Sequence, residues 1–164
     1  MAGVYTVSMD NVTVIASGIL VHIHADSTYG GGGSLLEILR CGISQRATAT
    51  SEQVGVILGE KAAVQPTLTS VTPEPHVVNG PASGIVGGTA GAEGTCGVDA
   101  SANGAGTLTT IVADSFNNLN GYVWVPTPEE RIIIGPDQAF ALSLDTTPSD
   151  LTAWTAYVTY REIA

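Results

Sequence analysis

Two histidines one residue apart, His22-Ile23-His24, are the sharpest chemical feature of the chain. On a strand, residues i and i+2 project to the same side, so the pair could share one metal ion. A metal centre needs more ligands, and the spacing supplies none. Measured against the pattern of the cupins, Gly18 sits too close before His22, Thr28 and Tyr29 hold the positions after His24 where that pattern has a carboxylate, and His76 follows Pro73-Glu74-Pro75 where it has a Pro-x-Gly turn. His22 and His24 are therefore weak metal candidates, read as lying on a solvent or subunit face. Glu129-Glu130-Arg131 pairs carboxylates with a cation, but neighbours on an extended segment point apart, while acid/base catalysis needs convergent groups. A salt bridge or a solvated turn is the reading there. The serines lack a nucleophile-elbow context, the glycine-rich middle lacks a phosphate-loop lysine, and Asp99, Asp114, Asp145 and Asp150 miss calcium-loop spacing. Trp124, Trp154, Tyr122 and Tyr160 could stack on a sugar, with core or interface packing the safer assignment. No catalytic residue, cofactor or resident metal is expected.

The elements that must carry these residues read as strands. Residues 12 to 25 alternate, placing Ile15, Ile19, Val21 and Ile23 on a core face against Val14, Leu20, His22 and His24. Residues 35 to 44 fit a strand or, through Ser34-Leu35-Leu36-Glu37, a helix start; Cys41-Gly42-Ile43-Ser44 continues the alternation and favours strand. Val54, Val56 and Leu58 point inward from the next segment. Strands follow over Leu108 to Phe116 and Gly121 to Val125, joined by an Asn/Gly turn. Pro126 and Pro128 cannot donate to a ladder, so the strand ends there and the chain is expected to cross over before a short strand from Arg131 to Ile134. A Gly135-Pro136 turn leads to Gln138 to Leu144, and Ala153 to Ile163 places Trp154, Ala156, Val158 and Tyr160 on one face.

With eight or nine strands and no long amphipathic helix, the fold class is all-β, an antiparallel sandwich with the jelly roll as its commonest eight-strand form. From about Ala62 to Gly106 the chain is rich in Gly, Ala, Thr, Ser and Pro without periodicity. That segment is either a functional or partner-bound loop or a mobile insertion, with short strands expected near His76 to Val78 or Thr89 to Gly94. Tyr29-Gly30-Gly31-Gly32-Gly33 is a second loop of the same character.

The 164 residues suit one domain. A net charge of -10 with Lys61 as the only lysine argues against a nucleic-acid groove or an anionic membrane surface. The N-terminus lacks the pattern of a secretory signal, and Cys41 and Cys96, lacking metal-site spacing, read as reduced thiols.

Ser34-Leu35-Leu36-Glu37-Ile38-Leu39-Arg40, Phe116 to Ile132 with its Pro126-Thr127-Pro128-Glu129-Glu130-Arg131 run, and Thr155 to Glu162 resemble small head proteins of tailed bacteriophages, the capsid decoration or cement proteins. The resemblance covers both ends of the chain but not the glycine-rich middle. It implies a jelly roll without catalytic residues, a homotrimer or similar oligomer on the outside of the phage head, and contact with the major capsid protein. Interface candidates are Tyr29, Gly31, His76, Val77, Pro126, Pro128, Glu129 and Arg131. The rival readings are a glycan- or receptor-binding module of a tail or fibre and, with the spacing against it, a cupin-like metal enzyme.

Overall fold

A computed structural model describes residues 3–27, 35–47, 50–61 and 65–163. The first strand, β1 (Val4–Val12), turns Tyr5, Val7 and Met9 inward and leaves Ser8 and Asp10 exposed. It precedes the first strand expected from the sequence. That expected strand is shorter than 12 to 25: β2 is Ile19–His24, while Val14 reaches the core from irregular chain through Val14 N donating to Leu151 O. The register of β2 slips by one residue at Ile19, so alternation does not run through it. Leu20, Val21 and Ile23 join the main core, whereas Ile19 belongs to a separate cluster.

The segment open to a helical reading is β3 (Leu35–Gln45), and β4 (Gln53–Lys61) follows, with Val54, Val56 and Leu58 fully buried. After the middle segment come β9 (Leu108–Asn117), β10 (Tyr122–Trp124), β11 (Ile133–Ile134), β12 (Ala139–Leu144) and β13 (Trp154–Ile163). Two antiparallel sheets form the sandwich. In the first, the order is β10-β3-β13-β1, with β11 also on β3; in the second it is β2-β12-β4-β9. The chain passes between the sheets so that β1, β3, β10/β11 and β13 face β2, β4, β9 and β12, the eight-strand jelly roll.

The core lies between the sheets. Trp154, Tyr5, Tyr160 and Phe140 are its largest fully buried side chains, and Phe116 meets Trp154 edge-on with centroids 6.4 Å apart. Phe140, Leu142 and Leu144 point inward as the alternation requires, but Ala139, Ala141 and Ser143 on the opposite face are buried too. The cover includes parts of the middle segment, which is more ordered than a loop or arm. Its described residues form β5 (Thr67–Ser70), β6 (Glu74–Pro75), β7 (Val86–Gly87) and β8 (Thr95–Ala102). β8 pairs with β2 and extends the second sheet, β5 and β7 pair with β8, and β6 extends the first sheet beside β1. The expected short strands fall elsewhere: His76 to Val78 is a turn just after β6, and Thr89 to Gly94 is turn and bend. Leu68, Ala100, Ile19 and Ala141 form a small apolar cluster apart from the main core.

The two-proline run does not cross between sheets. β10 pairs with β3 from Trp124↔Cys41 to Tyr122↔Ile43, and β11 pairs with the same strand at Ile133↔Glu37 and Ile134↔Leu36. Between them the chain bulges away from β3 through a 3-10 turn at Pro128–Glu130, then rejoins it where Ile38 N donates to Ile132 O. Proline thus breaks one edge strand into two halves and blunts the edge.

Candidate functional site

Three groups of polar side chains are assembled by this fold. The first surrounds the histidine pair. His22 is fully buried and His24 nearly so, which overturns their placement on a solvent or subunit face. On β2 they project away from the main core, as Ile23 projects into it, and the chain of the middle segment packs over them. His24 Nδ1 lies 3.2 Å from Gly91 O, and its Nε2 is 3.6 Å from the exposed Asp137 carboxylate. Neither ring nitrogen of His22 makes a hydrogen bond of normal geometry. Burial pulls the His22 pKa down to about 3, the neighbouring His24 and Lys61 push the same way, and the Gln65 side chain acts in the opposite sense. Lys61 is itself buried, its ammonium donating to Gly106 O, and burial lowers its pKa. Two imidazoles and an ammonium are an adverse setting for a cation. Among the described residues no group of three or more His, Cys, Asp or Glu side chains converges as metal ligands.

The second group was not foreseen. Glu37 on β3 is buried between two arginines: Arg161 Nε donates to its Oε2 at 2.7 Å, and Arg131 Nη1 to its Oε1 at 3.1 Å. Burial alone would raise the Glu37 pKa, but the hydrogen bonds and charges of both guanidinium groups outweigh it and hold the carboxyl below its usual range. Arg131 therefore pairs across the sheet edge and not with its acidic neighbours, and it pins the proline-bearing excursion to β3. Glu129 and Glu130 stay exposed in the 3-10 turn, where Thr127 Oγ1 donates to Glu130 Oε2 at 3.1 Å. A structural salt bridge and a solvated turn are both present, with different partners from those expected.

The third group lies on the outer face of the first sheet. His76 Nε2 is 2.7 Å from Thr6 Oγ1, which is 2.9 Å from Thr159 Oγ1, which accepts from Arg40 Nε at 3.3 Å. The Arg40 guanidinium stands 5.6 Å from the centroid of Tyr157. Tyr157 lies across Gly42, where an added Cβ would come within 2.3 Å of the ring. Beside it, Gly42, Gly121, Tyr122, Val123, Thr155 and Tyr157 line an open depression of about 150 Å³.

The remaining candidates do not gather at one place. His76 and Val77 are exposed on the turn after β6, Pro126 is half-buried and Pro128 exposed at the opposite edge of the sheet, and Tyr29 and Gly31 lie outside the described residues. Trp154 and Tyr160 are fully buried and cannot stack on a ligand. Cys41 and Cys96 are free thiols in the interior; burial raises both pKa values, that of Cys96 to about 12. Val78, Tyr157 and Gly42 were missed, although Val77-Val78-Asn79-Gly80 carries an Asn-Gly turn signal behind two apolar residues. No helix of the described residues is long and apolar enough to cross a membrane. The chain matches no protein-family model, and no curated protein or solved structure matches it.

Proposed function

We propose that the chain is a structural virion protein, a decoration or cement protein that binds the outer surface of a bacteriophage head where major capsid protein subunits meet and stabilises the shell. The observation that carries this reading is the distribution of exposed apolar side chains. Val77 and Val78 at one edge of the first sheet are 69% and 87% exposed, and Val123 and Val125 at the other are 64% and 68% exposed. Exposed valines grouped at edges suit contacts with other proteins. The polar groups serve the scaffold instead: Glu37 locks an edge and His22 is sealed from solvent. A rigid sandwich with contact residues at its margins suits a mechanical role, and repetition over a shell lets modest contacts act together. The resemblance in Ser34 to Arg40, Phe116 to Ile132 and Thr155 to Glu162 points the same way. Self-association as a homotrimer belongs to the same proposal. Heads lacking the protein should lose integrity on heating, EDTA treatment or osmotic shock, and purified protein added back should restore it. Equal survival of bare and complete heads refutes the clamp.

A further inference from the structure

We infer that copies of this chain associate head to tail, the Val77-Val78 turn of one copy seating in the depression beside Gly42 of the next. The inference deepens the proposed function and rests on it only for the expectation that several copies lie side by side.

The knob is a fixed shape. Gly80 N donates to Val77 O at 2.7 Å and Asn79 takes a φ of 60°, so a tight turn holds the two valines outward. The socket is equally constrained. Its floor is backbone at Gly42 and Gly121, its walls are Tyr157 and the exposed Val123, and no charged side chain lines it. It offers room for a branched aliphatic side chain, and one seated there would leave water together with Val123.

The flanks are complementary in charge. Exposed Glu74 stands beside the knob, and exposed Arg40 stands over Tyr157 beside the socket. Neither makes an ion pair among the described residues. Arg131 and Arg161 on this sheet are paired with Glu37 and Arg46 with Asp10, so Arg40, beside the socket, is the one arginine without an ion pair among the described residues and the one placed to meet the Glu74 of a second copy.

Knob and socket cannot meet within one molecule. The strand order β10-β3-β13-β1-β6 sets the knob after β6 and the socket over β10, β3 and β13. Four strand spacings, about 19 Å, separate the two edges. Two different patches on opposite edges make a heterologous contact, which closes into a ring such as a trimer or runs on as a filament.

The test is light scattering on the full chain and on two variants, Val78→Asp for the knob and Val123→Asp for the socket. Wild type is expected to show a multiple of the chain mass, and each variant alone a single chain. An equimolar mixture of the variants should show two chains and no more, because one intact knob still meets one intact socket. That rescue requires both variants to be folded. The milder Val78→Ala should weaken association at least tenfold. A monomeric wild type, wild-type mass in both single variants, or a mixture that stays monomeric overturns the inference. If the wild type is monomeric and Val78→Asp loses head binding, the knob belongs to a capsid contact and self-docking is wrong. If oligomers form as described but do not bind heads, the capsid reading fails and the head-to-tail contact stands.

Discussion

Lowering the pH from 6.5 to 4.5 should destabilise the fold through His22 in particular. The imidazole is neutral in the folded protein, with its pKa pulled from 6.5 to about 3, and it is protonated in the unfolded chain below 6.5. The unfolded state then binds the extra proton, so stability rises with pH between about 3 and 6.5. The contribution is complete above 6.5 and is lost as the pH falls through that window. Each pKa unit corresponds to about 1.4 kcal/mol, so the two units between 6.5 and 4.5 amount to about 2.7 kcal/mol. Stopping at 4.5 keeps most of the carboxylate titration out of the measurement. The assay is urea unfolding at half-unit pH steps on wild type and His22→Leu, which removes the titrating ring and leaves a buried apolar side chain. Groups common to both proteins, among them Glu37 and Asp99, cancel in the difference. The variant should show a flatter profile and, at neutral pH, equal or greater stability, since it replaces a buried polar ring lacking good hydrogen bonds. Parallel profiles for the two proteins would refute the reasoning, because they would mean that His22 reaches solvent or a partner when protonated.

Glu37→Gln should cost about 1–3 kcal/mol in chemical denaturation, since two guanidinium groups lose their counter-charge; an unchanged midpoint would show the triad to be solvent-screened. The lowered Glu37 pKa adds stability above the ordinary carboxylate range that disappears as the pH falls below it, so the variant should also be less acid-sensitive there. Gly59→Ala places a Cβ 2.4 Å from Thr109 O in the β4–β9 ladder, and a loss of about 1–3 kcal/mol is expected by thermal unfolding. Trp154→Ala should remove about 3–5 kcal/mol from the core, measurable by denaturant titration. Native protein should leave Cys41 and Cys96 unlabelled by an aromatic disulfide reagent, both reacting after denaturation; rapid labelling of the native state would place a thiol at the surface.

Alternation made β4, the core face of β12 and the core face of β13 legible, because Val, Leu and Ile mark the face each turns to the main core. β3 was legible as a strand, but a bulge between Ile38 and Arg40 switches its faces, so Leu36, Ile38, Cys41 and Ile43 are buried while Leu35 is exposed and Leu39 half-buried. The strand Val4–Val12 carries the same signal in Tyr5, Val7 and Met9. β8 was hidden for a different reason. Its residues are small, and its place depends on close approach: a Cβ on Gly97 would lie 2.7 Å from Leu68 and 2.9 Å from Gly88 O. Local propensity says little where backbone proximity decides. The histidine environment was illegible because period-two reasoning assigns a solvent face opposite the core, while here a later segment covers that face. Glu37, Arg131 and Arg161 are distant in sequence and meet through the β3–β13 and β3–β11 registers, which no local pattern reveals.

The register of β4 and β9 has one more consequence. Lys61 and Leu108 face each other on the ladder, so the whole middle segment departs and returns through a single rung. The segment is nevertheless part of the body, since it contributes Ile85, Cys96 and Val98 to the main core and pairs β8 with β2. Replacing it by a two-residue turn would unroof β2, return His22 to water and remove those three core side chains together with the Val77-Val78 turn.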